Sequence, residues 1–127
     1  MKLAHARIVT DDVLRLTRFY QELTGMTPKG DDVYVEFHAA TLTLAISSQR
    51  IIERFGPGET APASNRSMIL DFEVTDVDQE RKRLAGLVGR LVLEPTTQPW
   101  GNRSMMFRDP DGNLINMFAV VRAPVEA

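Results

Sequence analysis

The sequence contains no cysteine, which excludes disulfides and thiolate metal sites. It has no apolar run near the roughly 18 residues of a membrane span. No apolar stretch of signal-peptide type opens it either. Excess positive charge is absent as well: 15 basic side chains stand against 17 acidic ones, for a net charge of −2. Without a basic stripe, nucleic acid is not an expected partner. There is no Gly-rich phosphate loop and no Gly-x-Ser-x-Gly elbow. The expectation from these absences is a soluble cytoplasmic protein with no membrane partner. Asn65-Arg66-Ser67 and Asn102-Arg103-Ser104 match the glycosylation acceptor pattern, but without secretion the match is idle.

What is present fits one domain over residues 1–127, long enough for a single core. Its clearest feature is Asp109-Pro110-Asp111-Gly112-Asn113, flanked by the apolar runs Met105–Phe107 and Leu114–Phe118. Pro110 presets φ, the Asp side chains bond local backbone and Gly112 accepts positive φ, so the spacing predicts a hairpin. Asn116 is a polar residue inside the second strand of that hairpin.

Elsewhere the pattern predicts a strand over 3–9. A helix from Asp12 to Thr24 follows, on the helical spacing of Val13, Leu16, Phe19, Tyr20 and Leu23. A short strand near Pro28 precedes paired strands over 33–38 and 42–47. Residues 48–66 read as a connector or flap, with a helical turn or two in Gln49–Phe55. A strand over 68–75 places Met68, Leu70, Phe72 and Val74 on one face, and Ile69, Asp71 and Glu73 on the other. A helix then begins at Asp76, with Gln79 in capping-box position. A short strand over 90–94 is expected to stop at Pro95. Residues 96–102 read as a loop carrying Trp100, and the tail around Pro124 is expected to fray.

The order strand–helix–strand–strand–strand thus occurs twice. Val9-Thr10-Asp11 and Val74-Thr75-Asp76 mark the strand–helix junction of each copy. A spacing near 65 residues fits a duplicated module. The boundaries are 3–47 for the first module, 48–66 for the connector and 67–121 for the second.

With the hairpin motif Phe107–Asn113, the helix ending Leu23-Thr24-Gly25-Met26 and the duplication, the chain resembles the vicinal-oxygen-chelate superfamily. That group includes glyoxalase I, bleomycin-resistance proteins and extradiol dioxygenases. The resemblance implies an α+β fold: two βαβββ modules in a mostly antiparallel sheet curled into a half-barrel around a ligand cavity, helices outside. It also implies a homodimer.

In metal-dependent members, ligands come from the first and last strands of each module. The resemblance places these positions at His5, near Leu44, at Ile69 and at Asn116. Only His5 is an ordinary ligand, so the expectation is no metal cofactor. The function expected is binding of a small-molecule drug or metabolite by sequestration. The alternative is a lyase, isomerase or dioxygenase with a divalent metal such as Zn, Ni, Mn or Fe on His5, Glu36 and His38, the last two sharing a strand face. A metal-free enzyme with His5 as general base is a further option.

The candidate ligand-binding residues are His5, Arg7, Leu44, Ile69, Asp71, Trp100, Arg103 and Asn116. Each has a plainer reading. His5 fits a satisfied strand histidine, Arg7 an internal ion pair, Trp100 a seal on the core edge, and Arg103 a surface charge. Met68, Met105, Met106 and Met117 suit an adaptable apolar ligand or simple core filling.

Overall fold

A computed structural model of the chain describes residues 1–56 and 58–121. They fall into two compact units that divide between Asn65 and Arg66. The Pro124 tail lies outside the described residues.

In the first unit, β1 (His5–Thr10) leads through Asp12 into α1 (Val13–Thr24). The Asp12 carboxylate accepts the Arg15 backbone N–H at 3.0 Å, supplying one of the donors that a helix start leaves free. At the other end Gly25 adopts φ 71 and its N–H reaches the Gln21 carbonyl at 2.9 Å. Strands β2 (Lys29–Gly30), β3 (Tyr34–His38) and β4 (Thr43–Ser48) complete the module. Gly30 is required in the tight turn between β2 and β3: its φ is +139, and a Cβ there would collide with the Tyr34 carbonyl oxygen.

The sheet order is β1-β4-β3-β2, with β1 parallel to β4 and the other pairs antiparallel. Val35, Phe37 and Ile46 form the face beneath α1, whose Leu16, Phe19, Tyr20 and Leu23 are buried. Each such side chain contributes about 1.5–3 kcal/mol of apolar burial.

Residues 48–66 begin with α2 (Gln49–Phe55), capped by the Ser48 hydroxyl. The rest is pinned rather than loose at one point. The Gln49 amide donates to the Thr60 carbonyl at 3.0 Å and accepts from the Thr60 hydroxyl at 2.8 Å.

The second unit repeats the topology. It consists of β5 (Ile69–Glu73), α3 (Val77–Arg83), α4 (Ala85–Val88), β6 (Leu93–Thr97), β7 (Asn102–Arg108) and β8 (Leu114–Val120). The order is β5-β8-β7-β6, again with one parallel pair, β5 with β8. Its core is Val77, Leu84, Val88, Met105, Phe107, Ile115, Met117 and Ala119. Met105 and Met117 are thus core filling, whereas Met68 is exposed. Neither sheet closes into a barrel, since each keeps two edge strands.

The hairpin turn is built around one buried carboxylate. Asp109 accepts from the backbone N–H of Asp111 and of Asn113, both at 2.9 Å, and from the Asn113 amide at 2.8 Å. Gly112 sits at φ 84, and its N–H returns to the Asp109 carbonyl at 3.0 Å.

Two expectations need correction. Pro95 does not stop a strand; it lies inside β6, at a register shift between Leu93 and Thr96. β6 is an edge strand, where a missing N–H and a bulge are tolerated. The repeated Val-Thr-Asp tripeptides are also one residue out of structural register. The helix caps are Asp12 and Asp76, so Asp76 corresponds to Asp12 rather than Asp11.

Candidate functional site

Strand pairing in the first unit puts His5, Thr43 and His38 in one row, and Arg7, Ala45, Glu36 and Lys29 in the next. Tyr34 and Ser47 follow in a third row. All of these point away from the Val35–Phe37–Ile46 face, because side chains alternate along a strand. Ala45 is small, which leaves room for His5 to reach across β4 to Glu36. His5 Nε2 lies 3.3 Å from Glu36 Oε2, and His38 Nε2 lies 3.2 Å from Glu36 Oε1. The Tyr34 hydroxyl donates to Glu36 Oε2 at 2.6 Å.

The electrostatics follow from this geometry. The Tyr34 hydrogen bond, followed by the positive charge available on His38 and His5, holds the Glu36 carboxyl below its ordinary range. The same bond pushes the Tyr34 phenol up, because the neutral form is the donor. The result is an anion held by three polar side chains, with both imidazoles half exposed. Such a face can accept and donate hydrogen bonds to a polar ligand.

Sequence reasoning did not single out Tyr34. Its signal was parity, since it stands two residues before Glu36 and four before His38. Arg7 shares this open face, and among the described residues it makes no ion pair within 4 Å. The plainer reading of Arg7, an internal salt bridge, is therefore not met.

Leu44 needs correction. It pairs with Ala6 and Phe37, so it belongs to the helix-facing side. Ala45, opposite Arg7 and Glu36, is the counterpart of Asn116, which stands opposite Asp71 and Met106. A one-residue slip in a strand exchanges the two faces.

In the second unit, Ile69, Asp71 and Glu73 share the open face with Leu114, Asn116 and Phe118. The Asn116 amide donates to Asp71 Oδ1 at 2.9 Å, so these two candidates are brought together. Arg103 is not with them. It shares parity with the core residues Met105 and Phe107 and turns toward α3. There its guanidinium holds Asp78 at 2.7 and 2.9 Å and donates to the Thr97 hydroxyl at 3.0 Å. That hydrogen bonding keeps the Asp78 carboxyl low and the Arg103 guanidinium high. Trp100 stands in the turn between β6 and β7 and is 60% exposed, so it does not seal a core edge.

The duplicated topology and the Asp109 turn agree with sequence comparison. A family model described as the glyoxalase/bleomycin resistance protein/dioxygenase superfamily matches residues 2–117. The chain belongs to this superfamily. Among curated proteins nothing matches.

Solved structures are similar over nearly the whole chain. One is a glyoxalase/bleomycin resistance protein/dioxygenase family enzyme from Burkholderia phytofirmans PsJN. It is 16% identical with a TM-score of 0.85, over 95% of this chain and 100% of that one. A lactoylglutathione lyase from Agrobacterium tumefaciens is 20% identical with a TM-score of 0.70, over 91% of each chain. A protein of unknown function from Agrobacterium tumefaciens C58 is 28% identical, with a TM-score of 0.78 over 94% of each chain. Resemblance to the first two carries the fold alone. No helix among the described residues is long and apolar enough to cross a membrane.

The metal positions of the superfamily are tested by what this chain places there. His5 is a donor, but its Nε2 is engaged with Glu36. Ala45 and Ile69 have no side-chain lone pair, and the Asn116 amide is turned to Asp71. The alternative set of His5, Glu36 and His38 is brought together. However, the two imidazoles address different carboxylate oxygens and flank Glu36 instead of converging on one point. Among the described residues no group of three His, Cys, Asp or Glu is placed to hold a metal ion. These donor sets do not fit the superfamily's divalent metal.

Proposed function

We propose that this superfamily member binds a small polar molecule, a drug or metabolite, without a metal and acts by sequestration. The observation that carries this reading is the state of the four superfamily ligand positions. Two hold apolar side chains, one holds a neutral amide whose NH2 donates to Asp71, and the one imidazole is bonded to Glu36. A neutral amide and a single imidazole hold a first-row divalent ion poorly, whereas hydrogen-bonding groups on a strand face suit an organic ligand. In this reading the ligand sits on the open sheet face of the first unit, against His5, Arg7, Tyr34, Glu36 and His38. A homodimer in the cytoplasm is part of the same proposal.

The test is a screen of planar and peptide-like antibiotics by amide chemical-shift mapping in the presence of a strong chelator. Saturable shifts at His5, Tyr34, Glu36 and His38, weakened in Glu36→Gln, support the reading. Binding that disappears with the chelator and returns with a divalent metal contradicts it.

One observation favours a second reading. Two imidazoles, His5 and His38, lie 3.3 and 3.2 Å from the Glu36 carboxylate, which groups three metal-compatible side chains. A metal-dependent lyase, isomerase or dioxygenase using them requires both imidazoles to turn onto one point and Tyr34 to release Glu36.

A further inference from the structure

The second unit carries an open cleft of about 490 Å³ lined by Val88, Arg90, Leu91, Val92 and Arg108. Its construction follows from the backbone. α4 ends at Val88, and Gly89 turns the chain at φ 54. The Val92 N–H then donates to the Met106 carbonyl at 2.8 Å, and Leu93 pairs with Met106. Residues 90–92 therefore run beside the end of β7, and Arg90 and Arg108 come to line the same cleft.

Arg108 is held at the rim by one bond, Nη1 to the Gly112 carbonyl at 2.9 Å, which leaves most of its five donor directions open. Among the described residues neither arginine has an acidic partner within 4 Å. The nearest acid in sequence, Asp109, has its carboxylate turned into the hairpin. Two like charges sharing a cleft repel each other, and an anion between them relieves this. The guanidinium fork matches carboxylate and phosphate oxygens. The remaining lining, Val88, Leu91 and Val92, offers only apolar contact.

We propose that this cleft is a binding site for an anionic headgroup, carboxylate or phosphate, carried on a short apolar body. It is independent of the His5–Glu36 face. None of its lining residues belongs to the sequestration reading above.

The experiment is an amide chemical-shift titration of the intact protein with hexanoate, with hexyl phosphate, and with hexyltrimethylammonium as the cationic control. Either anion should give saturable shifts at Arg90, Leu91, Val92 and Arg108, stronger at low salt. The better of the two identifies the headgroup. Arg90→Gln should weaken binding roughly tenfold, the loss of a charge-assisted hydrogen bond. Arg108→Lys keeps the charge and should retain more affinity than Arg108→Gln. If Arg108→Gln unfolds the hairpin, Arg90→Gln carries the test alone. The proposal is overturned if neither anion saturates, if the cation shifts the same residues, or if Arg90→Gln binds as the parent does.

Discussion

The Tyr34 hydroxyl donates to Glu36 Oε2 at 2.6 Å, two residues along the same strand, while His5 Nε2 approaches that oxygen from across β4 at 3.3 Å. This arrangement fixes an anion on an open sheet face and ties its ionisation to a phenol. Tyr34→Phe should therefore raise the Glu36 midpoint toward the ordinary 4.5, read by ¹³C NMR of the carboxyl. The sign for stability follows from linkage. A carboxyl whose folded pKa is lowered contributes stability that is present above 4.5 and lost as pH falls through the folded value. Tyr34 works in the opposite direction. Its folded pKa is raised, so its contribution is present below 10.0 and lost as pH rises through the folded value. Tyr34→Phe should flatten both limbs of the stability–pH curve.

Asp109 is the acceptor for three hydrogen bonds inside the hairpin turn and is 5% exposed. Asp109→Ala leaves two backbone N–H groups and a buried amide without it. Urea unfolding should show a loss on the order of 2–4 kcal/mol. A loss within the scatter of surface substitutions would contradict the structural role given to this motif.

Gly30 adopts a φ that L residues rarely reach, and a Cβ there would strike the Tyr34 carbonyl. Gly30→Ala is expected to destabilise by roughly 1–3 kcal/mol from backbone strain, and to disturb the resonances of Tyr34 and Glu36. Gly58 has open space around its Cα and no positive φ, so Gly58→Ala serves as the neutral control.

Arg103 is held by Asp78 of α3 and by Thr97. Arg103→Gln should let the Asp78 midpoint rise toward 3.8 and lower Tm slightly, because exposed ion pairs contribute little. Binding at the His5–Glu36 face should be unchanged. A loss of ligand affinity in this variant would return Arg103 to the site.

How far the sequence was readable depends on the kind of signal. Asp109–Asn113 and the Val13–Leu23 stripe are local: turn chemistry and helical period act within a few residues, and both elements formed where expected. The Leu44 position is different, because a hydrophobic strand residue carries no mark of which face it occupies. Only pairing with Phe37 and Ala6 assigns it, and a one-residue slip reverses the assignment. Pro95 was misread for a related reason, since edge position and bulging are properties of the sheet. Arg103 was decidable from parity with Met105 and Phe107, but its Asp78 partner is 25 residues away and only the fold unites them. The cluster around Glu36 was half legible: His38 and Glu36 share a face by period two, while His5 joins them only through the parallel pairing of β1 with β4.

We propose that this chain works without a divalent metal. The most direct measurement is elemental analysis of protein purified without chelator, followed by thermal-shift titration with nickel, zinc, manganese and iron(II). Metal-free binding predicts far less than one metal per chain and no saturable rise in Tm with any of the four. Near-stoichiometric metal, or a large stabilisation abolished by His5→Ala, would contradict it.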